Sequence, residues 1–350
     1  MRRLQVVILG VVLLAALLAG GLWAGKVWLL ARPAGAPGPA QVVEIPKGAG
    51  LQRIAELLAK AGVVQHAQLF LLAAFITQDD GRIKAGEYEL SPAMSNAAVL
   101  EHLRQGRVKL HAILLPEGFT LRQIVERLAS FRVVQPSAAQ ELAQDPAFLG
   151  SLGIKAPGLE GYLFPDTYRL PREYGPRAAF AAMVRRFQQV WQPLAPAAQA
   201  QKLSRLQAVT LASIIEKETS LDRERPLVSA VYHNRLKRGM PLQADPTVIY
   251  GLGPQFDGNL TRDHLEKDTP YNTYTRPGLP PGPICSPGAA SLKAAVLPAE
   301  VPYLYFVAKG DGSHVFNVSY EAHRRAVNLY QRRGRKAAAA AAAAPAPAKP

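Results

Sequence analysis

Residues 42–65, VVEIPKGAGLQRIAELLAKAGVVQ, align without a gap on residues 112–135, AILLPEGFTLRQIVERLASFRVVQ. Pro46/Pro116, Gly48/Gly118, Leu51/Leu121, Ile54/Ile124, Glu56/Glu126, Leu58/Leu128 and Ala59/Ala129 are identical, as are Val63-Val64-Gln65 and Val133-Val134-Gln135. Each copy reads as a short strand, a Pro-x-Gly turn, an amphipathic helix and a hydrophobic exit. The helical spacing is explicit in Leu51, Ile54 and Leu58, and again in Leu121, Ile124 and Leu128. Strand and helix inside one repeated unit predict two small α/β units and decide for a mixed architecture. Ile83 to Ser91 predicts a strand between the copies, with Leu100 and Leu103 on a helix after it. Leu159 to Leu170 is dense in aromatics around a Pro-Asp turn, and a polar helix is expected near Ala178 to Trp191. A further helix is expected over Arg225 to Lys237, with Pro226 near its start, and a strand over Tyr303 to Ala308. Mixed helices, short strands and long ordered loops make the fold class α+β.

The chain's ends place it. Leu4 to Gly25 form an apolar run between Arg3 and Lys26, broken only by Gln5. At about 1.5 Å per residue this spans the roughly 30 Å hydrocarbon layer. Arg2 and Arg3 before it favour a cytoplasmic start and an exported remainder. A cleavable signal peptide is the alternative, but its apolar region is usually shorter, about 7–15 residues. Ala31 to Gln41 is a Pro/Gly/Ala connector, expected to be extended and mobile. Ala337 to Pro350 is an Ala run passing into Ala-Pro, which is assigned to no fold. Basic residues crowd the C-terminal end, as in Arg332-Arg333-Gly334-Arg335-Lys336, and contribute to a net charge of +15. Nucleic acid is excluded as a partner for an exported domain. Cys285 is the sole cysteine, so no intrachain disulfide can form.

Leu211 to Leu221, LASIIEKETSL, carries the candidate chemistry. At about 100° per residue, Leu211, Ile214, Ile215 and Glu218 share one helical face, and Glu216 points the opposite way. A carboxyl among aliphatic side chains has its charged form disfavoured, which keeps a general acid protonated near neutral pH. The alternative is that Glu218 bends outward, or pairs with Arg223 or Arg225. No Gly-x-Ser-x-Gly elbow, phosphate loop, dinucleotide fingerprint or His-Glu-x-x-His spacing occurs. Carboxylates with many Tyr and Asn side chains remain, a set that suits a carbohydrate. Tyr271 and Tyr274 could equally order a proline-rich loop, and Gln243 and Asp245 could cap the helix starting near Pro246.

Several motifs in order carry a resemblance. They are Ala212 to Thr219 (ASIIEKET), Leu242 to Gly251 (LQADPTVIYG), Tyr271 to Tyr274 (YNTY), Gly278 to Gly282 (GLPPG) and Glu160 to Tyr168 (EGYLFPDTY). Together the chain resembles the YceG-like endolytic murein transglycosylases, from the anchor to about residue 332. The resemblance implies a single-pass inner-membrane protein with an N-terminal LysM-like subdomain and a catalytic domain outside the cytoplasmic membrane. The implied layout is a cytoplasmic N-terminus at 1–3, a transmembrane helix at 4–25 and a linker at 26–41. A LysM-like subdomain at 42–110, a YceG-like catalytic domain at 111–335 and a disordered tail at 336–350 follow.

The resemblance implies Glu218 as the catalytic residue. Gln243, Asp245, Tyr250, Asn272 and Tyr274 are the candidate substrate contacts, and no metal or organic cofactor is needed. One carboxyl suffices when the muramoyl C6 hydroxyl replaces water, whereas ordinary glycoside hydrolysis uses two. The expected partners are peptidoglycan glycan strands, the inner membrane and peptidoglycan synthases, and the expected role is ending nascent strands. Three rivals stay open. The first is a muramidase using Asp245, Glu160 or Asp166 as second carboxylate. The others are a noncatalytic wall-binding scaffold and a pyridoxal-phosphate lyase built on Lys217.

Overall fold

The computed structural model describes residues 2–77 and 83–332, so the proposed 336–350 tail and most of the basic cluster lie outside the described residues. The fold is mixed α+β, and the chain divides into two compact units, Met1–His111 with Arg169–Glu173, and Ala112–Tyr168 with Tyr174–Pro350.

The first unit begins with helix α1 (Arg2–Ala31). Its stretch Leu4–Ala31 is long and apolar enough to cross a membrane. The helix outruns the expected end at Gly25, since nothing between Lys26 and Ala31 breaks it before Pro33. Its last turn enters the first unit's core, where Leu29 is buried. Asn96 donates to the Leu29 carbonyl at 2.9 Å. The start of the connector is tied to the first unit by its backbone. The Ala34 amide donates to Met94 at 2.8 Å, and the Gln65 amide donates to Ala34 at 2.6 Å. Arg32 lies over the Trp28 ring, 4.4 Å from its centroid. Small side chains let this segment lie flat enough for its backbone to hydrogen-bond.

Strand β1 (Gln41–Ile45), helices α2 (Leu51–Lys60) and α3 (Ala67–Ile76), strand β2 (Gly86–Leu90) and helix α4 (Asn96–Arg104) complete this unit. β1 and β2 are antiparallel, with Val43 opposite Tyr88. The buried core includes Val43, Ile45, Ile54, Leu58, Phe70, Tyr88, Leu90 and Leu103.

The second copy of the repeat forms strand β3 (His111–Leu114) and helix α5 (Leu121–Ser130). Gly48 and Gly118, the turn glycines of the two copies, share φ +76, a left-handed conformation that favours glycine. The exit valines Val63, Val64, Val133 and Val134 are all buried. β3 pairs with β4 (Thr167–Leu170), so the two copies share a local fold and recruit different strand partners.

Helices α6 (Pro136–Leu142), α7 (Pro146–Ser151), α8 (Pro176–Trp191) and α9 (Ala195–Ala200) lead to α10 (Arg205–Glu218). α8 was expected to be polar, but it buries Phe180, Met183, Val184, Phe187 and Trp191 along one face. Ser204 and Gln207 form a reciprocal capping box at the start of α10. From Ala208 to Ile215 every residue of α10 is buried. Helices α11 (Arg225–Lys237), α12 (Asp245–Leu252) and α14 (Ala289–Val296) pack around it. Helix α13 (Arg262–Glu266) follows α12.

The proline-rich segment is strapped onto α10 by its backbone. The Ile284 amide donates to Ser213 Oγ at 3.0 Å, and the Cys285 thiol donates to the Ser213 carbonyl at 3.3 Å. The described part closes with the hairpin β5 (Tyr305–Ala308) and β6 (His314–Asn317), then α15 (Tyr320–Val327) and a π-helical turn over Asn328–Arg332.

Gly161 sits where these layers meet. Its φ is +81, and a Cβ there would lie 2.5 Å from Pro283 Cβ and 3.0 Å from Val209. Gly161→Ala therefore combines backbone strain with a clash, and should destabilise the protein by at least ~1 kcal/mol, measured as a lower urea midpoint.

Candidate active site

Glu218 is the last residue of α10, at the negative end of the helix dipole. It lines a cavity of about 380 Å³ together with Arg235, Leu242, Gln243, Asp245 and Tyr274 on one side. Phe306, Val307, Ala308 and His314 of the hairpin line it too, with His323, Val327 and Gln331 beyond. The side chain is half-buried, and the Tyr232 hydroxyl donates to its Oε1 at 2.9 Å. Burial raises the Glu218 pKa to about 7, with Asp245 adding to the rise, against lowering by the Tyr232 hydrogen bond and Arg235. A carboxyl poised there holds its proton near neutral pH and can still release it.

Helical periodicity turns Glu216 away from Glu218, but not away from the core. α10 is buried on every side, so Glu216 does not point to solvent; its side chain is only 7% exposed. It accepts from Gly288 N at 2.9 Å and pairs with Arg225 at 3.4 Å. Arg225 is thereby committed to Glu216 and Asp222, not to Glu218. What separates the two glutamates is their partners: an arginine for one, a tyrosine hydroxyl and a cavity for the other.

Gln243, Asp245 and Tyr274 converge on the same cavity as Glu218. Gln243 has φ +51, unusual for a non-glycine residue. Its amide donates to Thr273 O at 3.1 Å, and Arg235 donates to its side-chain oxygen at 3.2 Å. Thr247 and Thr273 bond each other at 2.9 Å and complete the knot beneath this loop. Asp245 is the first residue of α12 and makes no side-chain cap; it is exposed and accepts the Tyr274 hydroxyl.

Asn272 and Tyr250 lie outside this lining. Asn272 is fully buried and donates to Leu265 O at 2.9 Å and Lys267 O at 2.7 Å. Its oxygen accepts from the Tyr274 amide at 2.8 Å, so it shapes the loop that presents Tyr274. The Tyr250 ring lies 4.8 Å from that of Tyr271, tilted by 55°, and its hydroxyl donates to Glu160 at 3.1 Å.

Of the other carboxylates weighed from sequence, Glu160 is held up to about 7 by burial, yet its oxygens are occupied by Leu121 N and Tyr250. Asp166 binds Arg186 at 2.8 Å, which holds its pKa low. Neither lines the cavity, and Lys217 is exposed. Among the described residues, no group of three or more His, Cys, Asp and Glu is placed to hold a metal ion.

The sequence reading did not single out Tyr232 or Arg235. Arg235 is buried and also donates to Leu304 O at 2.8 Å and Leu242 O at 2.9 Å, tying α11 to the hairpin and the Gln243 loop. A buried arginine and a buried tyrosine on one helix carry no local signal; only their spacing of three, one turn, hints at a shared face.

The sequence profile of the YceG-like family matches residues 43–329. The chain belongs to the YceG-like family. A Bacillus subtilis relative named endolytic murein transglycosylase is 33% identical over 305 residues, covering 82% of this chain and 84% of the relative. A relative of the same name from Streptococcus pneumoniae serotype 2 is 31% identical over 317 residues, or 81% of this chain. The alignment spans 57% of that longer protein. A crystal structure of a yceG-like protein from Listeria monocytogenes superposes with a TM-score of 0.56 at 33% identity, covering 83% of this chain and 99% of that one.

For this YceG-like chain, the raised Glu218 pKa has a stability consequence with a definite sign. The folded state binds the proton more tightly, so its contribution is fully present below the ordinary value of 4.5 and is lost as pH rises through about 7. Glu218→Gln removes the charge. It should gain ~1–3 kcal/mol over the native protein at pH 8, discounted for partial exposure, and the gain should vanish near pH 4. Urea unfolding at the two pH values measures it.

Proposed function

We propose that the chain is an endolytic peptidoglycan lytic transglycosylase that cuts the bond between N-acetylmuramic acid and N-acetylglucosamine. The observation that carries this reading is a carboxyl, Glu218, that lines the cavity with its pKa raised by burial to about 7. The shared name of the curated relatives supports it independently.

In this mechanism Tyr232 occupies Oε1 of Glu218 and leaves Oε2 to carry the acidic proton. That proton passes to the glycosidic oxygen as the C1–O bond breaks. Asp245, oriented by Tyr274, adds negative potential where the sugar ring becomes positive. The resulting Glu218 carboxylate takes the proton of the muramoyl C6 hydroxyl, whose oxygen closes on C1 to give a 1,6-anhydro end. Proton count and charge are restored without water. The intramolecular hydroxyl carries an orientation advantage. Gln243 and Tyr274 contact the sugar, whereas Asn272 and Tyr250 act by holding the loop and α12.

Helix α1 is the membrane anchor in this reading, with the chain that follows it on the extracytoplasmic side. The strand–helix–helix–strand order of β1, α2, α3 and β2 supports reading the first unit as the LysM-like subdomain. The enzyme's role is to terminate nascent glycan strands beside peptidoglycan synthases.

Asp245 also favours a second reading, because it shares the cavity and could activate water for hydrolysis. Mass spectrometry of digested uncrosslinked glycan separates the two: transglycosylation gives anhydro ends, each lighter by one water than the reducing ends of hydrolysis. Glu218→Gln should lower kcat by about 10²–10⁴-fold while leaving glycan binding in place. A variant that cleaves at the native rate would remove Glu218 from the mechanism. The native kcat/KM should fall as pH rises above about 7, as Glu218 loses its proton. Tyr232→Phe deletes a contact that lowers this pKa, so its alkaline limb should move to higher pH.

A further inference from the structure

The cavity wall carries an ordered histidine that the acid mechanism does not use. His314, on β6, lines the same cavity as Glu218, and Glu224 grips it twice. Its Nδ1 lies 2.7 Å from Glu224 Oε2, and its backbone amide donates to Glu224 Oε1 at 3.1 Å. The two side chains are 10% and 7% exposed, so Glu224 is spent on the histidine and unavailable to a ligand. A carboxylate can only accept, so Nδ1 carries a proton in either charge state of the ring. That leaves Nε2 for the cavity, and among the described residues it has no protein partner.

The ring is further fixed by Phe306, edge to face at 5.4 Å and 86°. Phe306 in turn meets Tyr232 edge to face at 6.0 Å, and Tyr232 holds Glu218. An imidazole locked in tautomer and rotamer, one aromatic ring away from the acid's own support, is built to meet a ligand. The other imidazole in the cavity, His323, differs. It stacks on Tyr305 at 5.3 Å, and its Nδ1 is buried without a partner, out of a ligand's reach.

We propose that His314 is a substrate-binding residue of this cavity, its Nε2 hydrogen-bonding a hydroxyl of an amino-sugar polymer, with Glu224 as its positioning residue. Held this way, Nε2 offers a lone pair in the neutral ring and a proton in the charged one, and a hydroxyl can answer either. The inference rests on the glycan-cleaving reading of the cavity and adds a contact from the β5–β6 hairpin.

The test uses the full chain in detergent carrying Glu218→Gln, with fluorescent uncrosslinked glycan strands as the probe. Adding His314→Ala should weaken binding by roughly 3- to 10-fold, the size of one hydrogen bond, and His314→Gln, which keeps a hydrogen-bonding group, should recover most of it. With ¹⁵N-labelled histidine, the His314 Nε2 resonance should move on saturation with glycan. Glu224→Gln should mix the two ring tautomers in the same spectrum. Unchanged binding in His314→Ala, or an Nε2 signal unmoved at saturation, overturns the proposal. Should the alanine variant fail to fold, the NMR arm decides alone. If the Glu218→Gln chain still cuts glycan, the acid assignment fails by itself, and the binding comparison still judges His314.

Discussion

A helix buried on all sides is the constraint on which the second unit depends. α10 has no solvent face from Ala208 to Ile215, so every neighbour must be shaped to it. Close-packed interiors leave little room for adjustment. The glycine at 161 exists because Pro283 and Val209 leave no space for a methyl group. The loop at 284–286 can lie against α10 because Ser213 supplies hydrogen-bonding partners inside an otherwise apolar helix. At the end of this rigid rod the carboxyl of Glu218 emerges where the packing stops. Its chemistry depends on that position more than on its own identity.

Two glutamates two residues apart illustrate the point. Both carboxyls leave water on folding, which is costly unless something compensates. Glu216 is compensated by an arginine and a backbone amide. Glu218 receives one hydroxyl and the nearby negative charge of Asp245, an arrangement suited to holding a proton. Opposite electrostatic solutions on one helix end turn one carboxylate into architecture and leave the other available for chemistry.

α11 distributes these roles along its length. Glu224 at its start holds His314, Tyr232 in the middle holds Glu218, and Arg235 near the end holds Gln243. One straight helix thus sets the relative positions of groups drawn from α10, the Gln243 loop and the β5–β6 hairpin. Placing a site on a rigid element in this way limits the drift of each group.

Much of the secondary structure was legible in the sequence because it is written by near neighbours. The repeat, its left-handed glycines, the spacing of Leu51, Ile54 and Leu58, and the membrane-length helix each depend on residues a few positions apart. The motif residues Glu218, Gln243, Asp245 and Tyr274 were also marked by sequence, and the fold gathers them around one cavity. Tertiary structure alone decided the rest. Periodicity assumed α10 had one buried face, and only the packing of several layers buried Glu216 too. The Pro/Gly/Ala connector reads as a free chain, but surfaces remote in sequence supply its hydrogen bonds. Asn272 and Tyr274 share a motif, yet the loop's own carbonyls turn one inward and leave the other facing the cavity. His314 and Glu224 meet across ninety residues of chain, a contact that no local pattern encodes. Local propensity specifies which elements form; which buried groups become partners depends on surfaces that exist only once those elements pack.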